Sequence, residues 1–121
     1  MNFLEALEAL EIDSTVLFRR FSGNEALAER FIRKFKDEET FSDLERAYRS
    51  YQDGEDTKMQ MELLAHTLKG VAANLEFIKL YKACTTMVDE LREKNTTTID
   101  KNYEEVEKEY KKLITVLQEL K

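Results

Sequence analysis

The 121-residue chain contains no proline and no tryptophan, only three glycines and a single cysteine. Proline and glycine supply most tight turns of β-sandwiches and β-barrels, so their scarcity argues against a multi-stranded fold and favours an all-α fold. The lone cysteine, Cys84, excludes an internal disulfide and a cysteine-rich zinc cluster. We expect it to be a small apolar core residue in a reducing compartment.

The chain also lacks an excess of positive charge and a long apolar run. Its net charge of −6 argues against nucleic acid or an anionic membrane as the main partner, because both attract basic surfaces. No apolar stretch approaches the roughly 20 residues that span a bilayer. The first residues, with Glu5, Glu8 and Glu11, do not resemble a secretion signal. We therefore expect a cytoplasmic protein that binds neither nucleic acid nor membrane.

Apolar residues recur at intervals of three and four along most of the chain, which predicts amphipathic helices. The length fits one domain covering residues 1–121. The predicted order is two short helices, one long helix bent near residue 38, and helices at about 57–75, about 78–91 and from about 99. Four long helices with short connections favour an antiparallel up-and-down four-helix bundle with short additional N-terminal helices. The stripe of the last helix is too short to predict a coiled-coil dimer, so we expect a monomer.

Capping residues mark several predicted helix ends. Asn24 is a typical N-cap, and Gly54 accepts the left-handed conformation that is common just after a helix. Thr57 with Gln60 predicts a capping box at the start of the following helix.

The only histidine, His66, lies on the side of its predicted helix opposite the apolar stripe. An imidazole that is neutral at physiological pH is a nucleophile and can accept a phosphoryl group. Lys69 lies on the adjacent turn, where its ammonium can offset a negative group on the ring. Gly70 costs about 0.5–1 kcal/mol relative to alanine in mid-helix, which is explained either by access to the ring or by close helix packing.

Small and apolar residues surround this histidine. Gly70 and Ala73 lie near the same outward line, and Met59, Leu63 and Phe77 fall close to it. These apolar side chains either dock a partner or are covered by the N-terminal helix. The main alternative to a phosphoryl carrier is therefore a helical adaptor that binds a partner protein through this face. A metal enzyme is not predicted, because the pattern has no inward-facing Glu-x-x-His arrangement.

The string AHTLKGVAANL at residues 65–75 closely resembles the signature of histidine-containing phosphotransfer (HPt) domains of multistep phosphorelays. Upstream, FSGNEAL at residues 21–27, followed by Phe31 and Phe35, resembles the segment that precedes this signature. The resemblance implies a four-helix bundle in which His66 accepts a phosphoryl group from the aspartyl phosphate of one receiver domain and passes it to an aspartate of another.

By position, the resemblance implies that Lys69 helps to hold the phosphoryl group and that Gly70 leaves room for the receiver. It further implies receiver domains and a hybrid sensor kinase as partners, magnesium bound by the receiver, and neither a cofactor nor kinase activity in this chain. Two positions depart from the pattern. Glu76 stands where many members have glycine, and Val88 stands where some have a glutamine near the histidine, with Thr85 one turn earlier as a polar substitute.

Overall fold

A computed structural model describes residues 1–121, and all of its regular structure is helical. The prediction of an all-α fold is therefore confirmed. The elements are α1 (Phe3–Ala9), α2 (Ser14–Arg20), α3 (Glu25–Lys34), a 3-10 turn (Phe35–Asp37), α4 (Thr40–Gln52), α5 (Lys58–Asn74), α6 (Ile78–Arg92) and α7 (Ile99–Gln118). None of these helices combines the length and the apolar character that crossing a membrane requires.

The single bent helix predicted from about residue 24 to 51 is wrong, because the chain breaks it into α3 and α4. The backbone of Glu38 is extended, with ψ of 129°. Its carboxylate accepts hydrogen bonds from the Thr40 backbone N–H at 3.0 Å and the Thr40 hydroxyl at 2.6 Å. The carboxylate thus satisfies a free N–H at the start of α4, and α4 begins as a new helix.

The predicted caps are partly correct. The Asn24 side chain accepts a hydrogen bond from the Leu27 backbone N–H at 3.0 Å, which confirms Asn24 as the N-cap of α3. The capping box of Thr57 and Gln60 is wrong, since Thr57 makes no side-chain cap. Its hydroxyl instead donates to the Ala47 carbonyl at 2.6 Å, and this bond ties the start of α5 to α4.

Consecutive long helices pack on one another: α4 on α5, α5 on α6 and α6 on α7. Their facing sides form one core in which many large apolar side chains are almost fully buried. Among them are Leu44, Met61, Leu68, Leu80, Met87, Val106 and Leu117. Cys84 is also buried here, as predicted, and burial raises the pKa of its thiol to about 12. The thiol is therefore a packing group rather than a reactive one.

Aromatic side chains join α4 to α7. A continuous column of rings crosses the core, with consecutive centroids 3.8–6.2 Å apart, in the order Phe77, Phe35, Tyr110, Phe41, Tyr103 and Tyr48. Each such contact contributes about 0.5–1.5 kcal/mol beyond the burial of the rings. Burial and a 2.7 Å hydrogen bond donated to Asp100 raise the pKa of Tyr48 to about 12, so the hydroxyl at the end of the column remains a donor.

Five helices, α1, α2, α4, α5 and α6, end in the same hydrogen-bonded turn. In each, the second residue after the helix has a positive φ and donates to the carbonyl three residues back, and the next residue donates to the carbonyl five residues back. This pattern is the Schellman motif. The positive-φ residues are Glu11, Ser22, Gly54, Glu76 and Lys94. Gly54 is left-handed as predicted, whereas each of the other four carries a side chain in a conformation that costs about 1–2 kcal/mol.

At Glu76, a side-chain contact offsets the cost of the left-handed backbone conformation. Its φ is 61°, and the following residue, Phe77, donates to the Ala72 carbonyl at 2.9 Å. The Glu76 side chain is buried and accepts a hydrogen bond from the guanidinium of Arg20 at the end of α2. The ion pair therefore anchors the N-terminal helices on the turn between α5 and α6, at the position where the sequence departs from the HPt pattern.

We expect Lys94→Gly to raise the free energy of unfolding by about 1 kcal/mol, because Lys94 has φ of 59° and forms no ion pair and glycine adopts this conformation without strain. Glu76→Gly removes the same backbone strain but leaves Arg20 without its carboxylate, so we expect it to give no gain. Urea unfolding followed by circular dichroism measures both. A larger gain for Glu76→Gly than for Lys94→Gly would contradict the anchoring role of the ion pair.

Candidate functional site

His66 lies in the middle of α5, and its side chain is exposed to solvent. Its neighbours on the inward side, Ala65 and Leu68, are completely buried. The helix therefore presents the imidazole outward while the core holds the backbone beneath it. His66 takes part in no hydrogen bond or ion pair with another side chain, so both ring nitrogens are free of partners within the chain.

The imidazole lines an open groove of about 640 Å³ between the first half of α5 and the end of α6. Its walls are made of Asp56, Met59, Gln60, Glu62, Leu63, His66 and Arg92. The groove thus combines one imidazole, one guanidinium, one amide, two carboxylates and two long apolar side chains.

Met59 and Leu63 form an apolar patch beside His66. They are 85% and 65% exposed, so the N-terminal helices do not cover them. The expected position of Phe77 on this patch is wrong, because Phe77 is buried and packs edge-on against Phe35 with ring centroids 4.9 Å apart. The chain reverses at Glu76, and the periodicity of α5 no longer describes where a side chain beyond that turn points.

Gly70 is exposed one turn after His66. A Cβ atom placed on Gly70 meets no other part of the chain within 4 Å. Close helix packing therefore does not explain this glycine, since no helix packs closely against it. Access to the imidazole remains as the other explanation. Ala73, on the next turn, is half-buried and does not line the histidine groove.

The ammonium of Lys69 lies outside the groove. Its Nζ is 5.8 Å from the centroid of the Tyr81 ring on α6, within the range of a cation–π contact. Lys69 and Tyr81 are both half-buried, and such a contact contributes about 0.5–1 kcal/mol at exposed sites and about 2 kcal/mol when desolvated. The contact therefore holds the side chain by about 1 kcal/mol.

Arg92 is a basic residue of the groove that sequence reasoning missed. Its Nε donates to the Glu62 carboxylate at 3.3 Å across the α5–α6 pair. The sequence does carry a signal for this contact. Glu62 and Arg92 have opposite charges and lie at nearly equal distances along the chain on either side of Phe77, as two residues that face each other in a helical hairpin would.

The second departure from the HPt pattern leaves the imidazole without a supporting side chain. Val88 is completely buried in the core. The Thr85 hydroxyl donates to the Tyr81 carbonyl of its own helix at 2.8 Å. Neither residue holds the imidazole, and Arg92 is the only cationic side chain among the residues that line its groove.

Comparison with known families assigns the chain to a domain family. The family model described as Hpt domain matches residues 30–120. No curated protein and no solved structure matches the chain significantly. The family match covers the site from Met59 to Arg92 and all four long helices, so the identification from residues 65–75 is confirmed and the chain belongs to the Hpt domain family.

Proposed function

We propose that this protein relays a phosphoryl group between receiver-domain aspartates through His66. Hpt domains act in histidine phosphotransfer in two-component systems, where they interact with receiver and kinase domains. The observation that carries the proposal is the position of the only histidine. It is an exposed and unpartnered imidazole in a groove beside an apolar patch.

In the proposed reaction, an imidazole nitrogen of His66 attacks the phosphorus of the receiver's aspartyl phosphate. The phosphorus–nitrogen bond forms as the bond to the aspartate oxygen breaks, and the carboxylate leaves with the electron pair. Attack on phosphohistidine by the carboxylate of a second receiver reverses these steps. The chain acts as a phosphocarrier with no kinase activity of its own, and the magnesium ion belongs to the receiver.

Lys69 and Arg92 are the cations that we propose to contact the phosphoryl group. Their present partners hold them by about 1 kcal/mol each, since an exposed ion pair contributes about 0–1 kcal/mol and a half-buried cation–π contact about 1 kcal/mol. A hydrogen bond to a charged group contributes about 1.5–3 kcal/mol. A phosphoryl group carries more negative charge than the Glu62 carboxylate and offers Lys69 a charged acceptor in place of the Tyr81 ring, so we expect either side chain to exchange its present partner for it.

The docking surface that we propose for the receiver consists of Met59, Leu63 and the open space over Gly70, with Ala73 at its edge. The two apolar side chains are exposed on the same side of α5 as the imidazole. A partner that covers them removes apolar area from water, at about 25 cal/mol per Å². Gly70 lets the partner's backbone approach within reach of the ring.

We also infer that α4 to α7 form an antiparallel up-and-down bundle and that residues 1–121 are one domain. Tyr48, late in α4, stacks on Tyr103, early in α7, whereas Phe41, early in α4, stacks on Tyr110 further along α7. This order of contacts fits two helices that run in opposite directions. A single core cluster extends from Phe3 to Leu117, which supports one domain. We propose that the domain acts as a monomer in the cytoplasm, where receiver and kinase domains work.

A second candidate function is a protein adaptor without phosphotransfer. The high exposure of Met59 and Leu63 favours it, because large apolar side chains beside a groove are typical of interaction sites. Phe77 is no longer part of this surface. The adaptor and the relay differ in whether the imidazole forms a covalent bond, and the first experiment below separates them.

We expect wild-type protein to acquire label when it is incubated with magnesium and a receiver domain carrying ³²P on its aspartate. The label should be acid-labile, as phosphohistidine is, and absent from His66→Ala. Because the imidazole is exposed, this variant should fold normally and still bind the receiver. Equal labelling of His66→Ala would contradict the relay, and stable receiver binding without label on wild-type protein would support the adaptor.

Lys69→Ala and Arg92→Ala should each slow transfer or shorten the life of the phosphorylated form by about tenfold or more, which corresponds to the loss of a charge-assisted hydrogen bond. Rapid-quench transfer and the decay of isolated phosphoprotein measure these effects. Arg30→Ala is the matched control, because Arg30 is exposed on α3 and forms no ion pair. Unchanged kinetics in either variant would remove that residue from the proposed role.

Gly70→Gln should change stability and phosphoryl transfer in opposite directions. The substitution improves helix propensity by up to about 1 kcal/mol, and nothing in the chain obstructs the new side chain, so the free energy of unfolding should rise. Transfer from the phosphorylated receiver should fall, because glutamine fills the approach to His66. Gly70→Ala is the control and should gain stability with a smaller loss of transfer. Normal transfer by Gly70→Gln would make the access explanation wrong.

A further inference from the structure

Glu62 lies one turn before His66 on α5, and both side chains line the same groove. Residues four apart on a helix are neighbours on its surface. Glu62 is the only acidic residue between Lys58 and Asn74, the limits of α5. Its side chain is 36% exposed, so water solvates the carboxylate only in part. The helix that carries the imidazole therefore holds a single negative charge, and that charge lies next to the ring.

The Glu62 carboxylate is bound to the one cation that lines the groove. It accepts a hydrogen bond from Arg92 Nε at 3.3 Å, whereas Lys69 forms no ion pair. The other carboxylate of the groove, Asp56, precedes α5, is 79% exposed and lies 3.5 Å from the Lys58 ammonium. Glu62 is thus the one carboxylate that lies a turn from the ring and also holds a cation of the proposed phosphoryl site.

A phosphoryl group on His66 changes the effect of Glu62 on the site. The group adds negative charge to the ring, and like charges four residues apart on a helix repel each other. Glu62 also competes for Arg92, because a guanidinium N–H that donates to the carboxylate does not donate to the phosphoryl group. Both effects raise the free energy of the phosphorylated chain relative to the unphosphorylated one.

We propose that Glu62 is a positioning residue that acts through Arg92 to keep the phosphohistidine transferable. By holding the guanidinium and repelling the phosphoryl group, it makes the phosphorylated state less stable than it would be without this carboxylate. A more stable phosphohistidine has a higher barrier to transfer to the next receiver. The inference rests on the proposed relay, and it explains why a groove proposed to receive an anion also contains a carboxylate.

The test uses the full chain and phosphoramidate, a small donor that phosphorylates histidine without a receiver. The lone pair of an imidazole nitrogen attacks the phosphorus, ammonia leaves with the electron pair of the broken phosphorus–nitrogen bond, and the ring proton passes to solvent. At fixed phosphoramidate and ammonium concentrations, ³¹P NMR gives the ratio of phosphorylated to unphosphorylated chain. Glu62→Gln should raise this ratio by about fivefold, because it removes the like charge and weakens the hold on Arg92. His66→Ala should give no phosphohistidine signal.

Two double variants test whether Glu62 acts through Arg92. Glu62→Gln should keep its effect when it is combined with Lys69→Ala. Combined with Arg92→Ala, it should change the ratio by about twofold or less, because only the repulsion remains. The Arg92 Nε–H signal should shift when the wild-type chain is phosphorylated, and it should already be displaced in unphosphorylated Glu62→Gln. A purely structural ion pair would leave this signal unchanged on phosphorylation.

The chain offers matched controls for the loss of a carboxylate. Glu29 on α3 is 38% exposed and pairs with Arg33 at 2.8 Å, so Glu29→Gln removes a similar ion pair outside the groove and should leave the ratio unchanged. Asp56→Asn removes the more exposed carboxylate of the groove and should have a smaller effect than Glu62→Gln. Glu62→Asp keeps the charge and should give a ratio close to that of the wild type.

The inference is overturned if Glu62→Gln leaves the ratio unchanged, acts equally in the Arg92→Ala background, or is matched by Glu29→Gln. It is also overturned if phosphoramidate does not phosphorylate the wild-type chain. Labelling by a phosphorylated receiver tests the relay separately. A labelled wild type with an unresponsive Glu62→Gln rejects only this inference, whereas a response of Glu62→Gln to phosphoramidate without any receiver labelling rejects only the relay.

Discussion

The reversal of the chain at Glu76 determines which residues surround His66. The left-handed backbone there, held by the ion pair between the buried Glu76 carboxylate and the exposed Arg20 guanidinium, ends α5 and turns Phe77 into the aromatic column. The following helix then returns along α5, and its last turn brings Arg92 to the groove. A different turn would change which residues of α6 meet the histidine, even though the turn itself lies ten residues from it. The electrostatics of the site therefore depend on a contact with the N-terminal helices.

Much of this could be predicted from the sequence, because helical periodicity and composition act locally. The all-helical fold, the exposure of His66 and the left-handed Gly54 follow from residues near in sequence. The predictions were wrong where a side-chain hydrogen bond interrupts the local apolar pattern. They were also wrong where the position of a residue depends on how two helices pack. The Glu38 carboxylate starts a new helix inside a continuous apolar pattern. The positions of Phe77 and Arg92 depend on how α6 packs against α5, which no periodicity within one helix describes.

The site itself is sparse, and this fits a carrier better than a complete enzyme. Its nucleophile has no orienting partner, because Val88 is buried and Thr85 bonds to its own helix. Lys69 contacts Tyr81 and Arg92 contacts Glu62, and breaking either contact costs little free energy. General acid–base catalysis needs groups held in position by their neighbours. In the proposed relay the imidazole meets two receivers in turn, and few fixed contacts of its own would favour that exchange.

The side chains at the four left-handed helix ends also affect the unfolded chain. Glycine at Glu11, Ser22, Glu76 and Lys94 would relieve backbone strain in the folded protein, yet it would also give the denatured polypeptide more conformations to lose. With no proline and only three glycines, the chain has few residues of extreme stiffness or freedom. Outside Gly23, Gly54 and Gly70, the backbone entropy lost on folding is therefore similar from residue to residue.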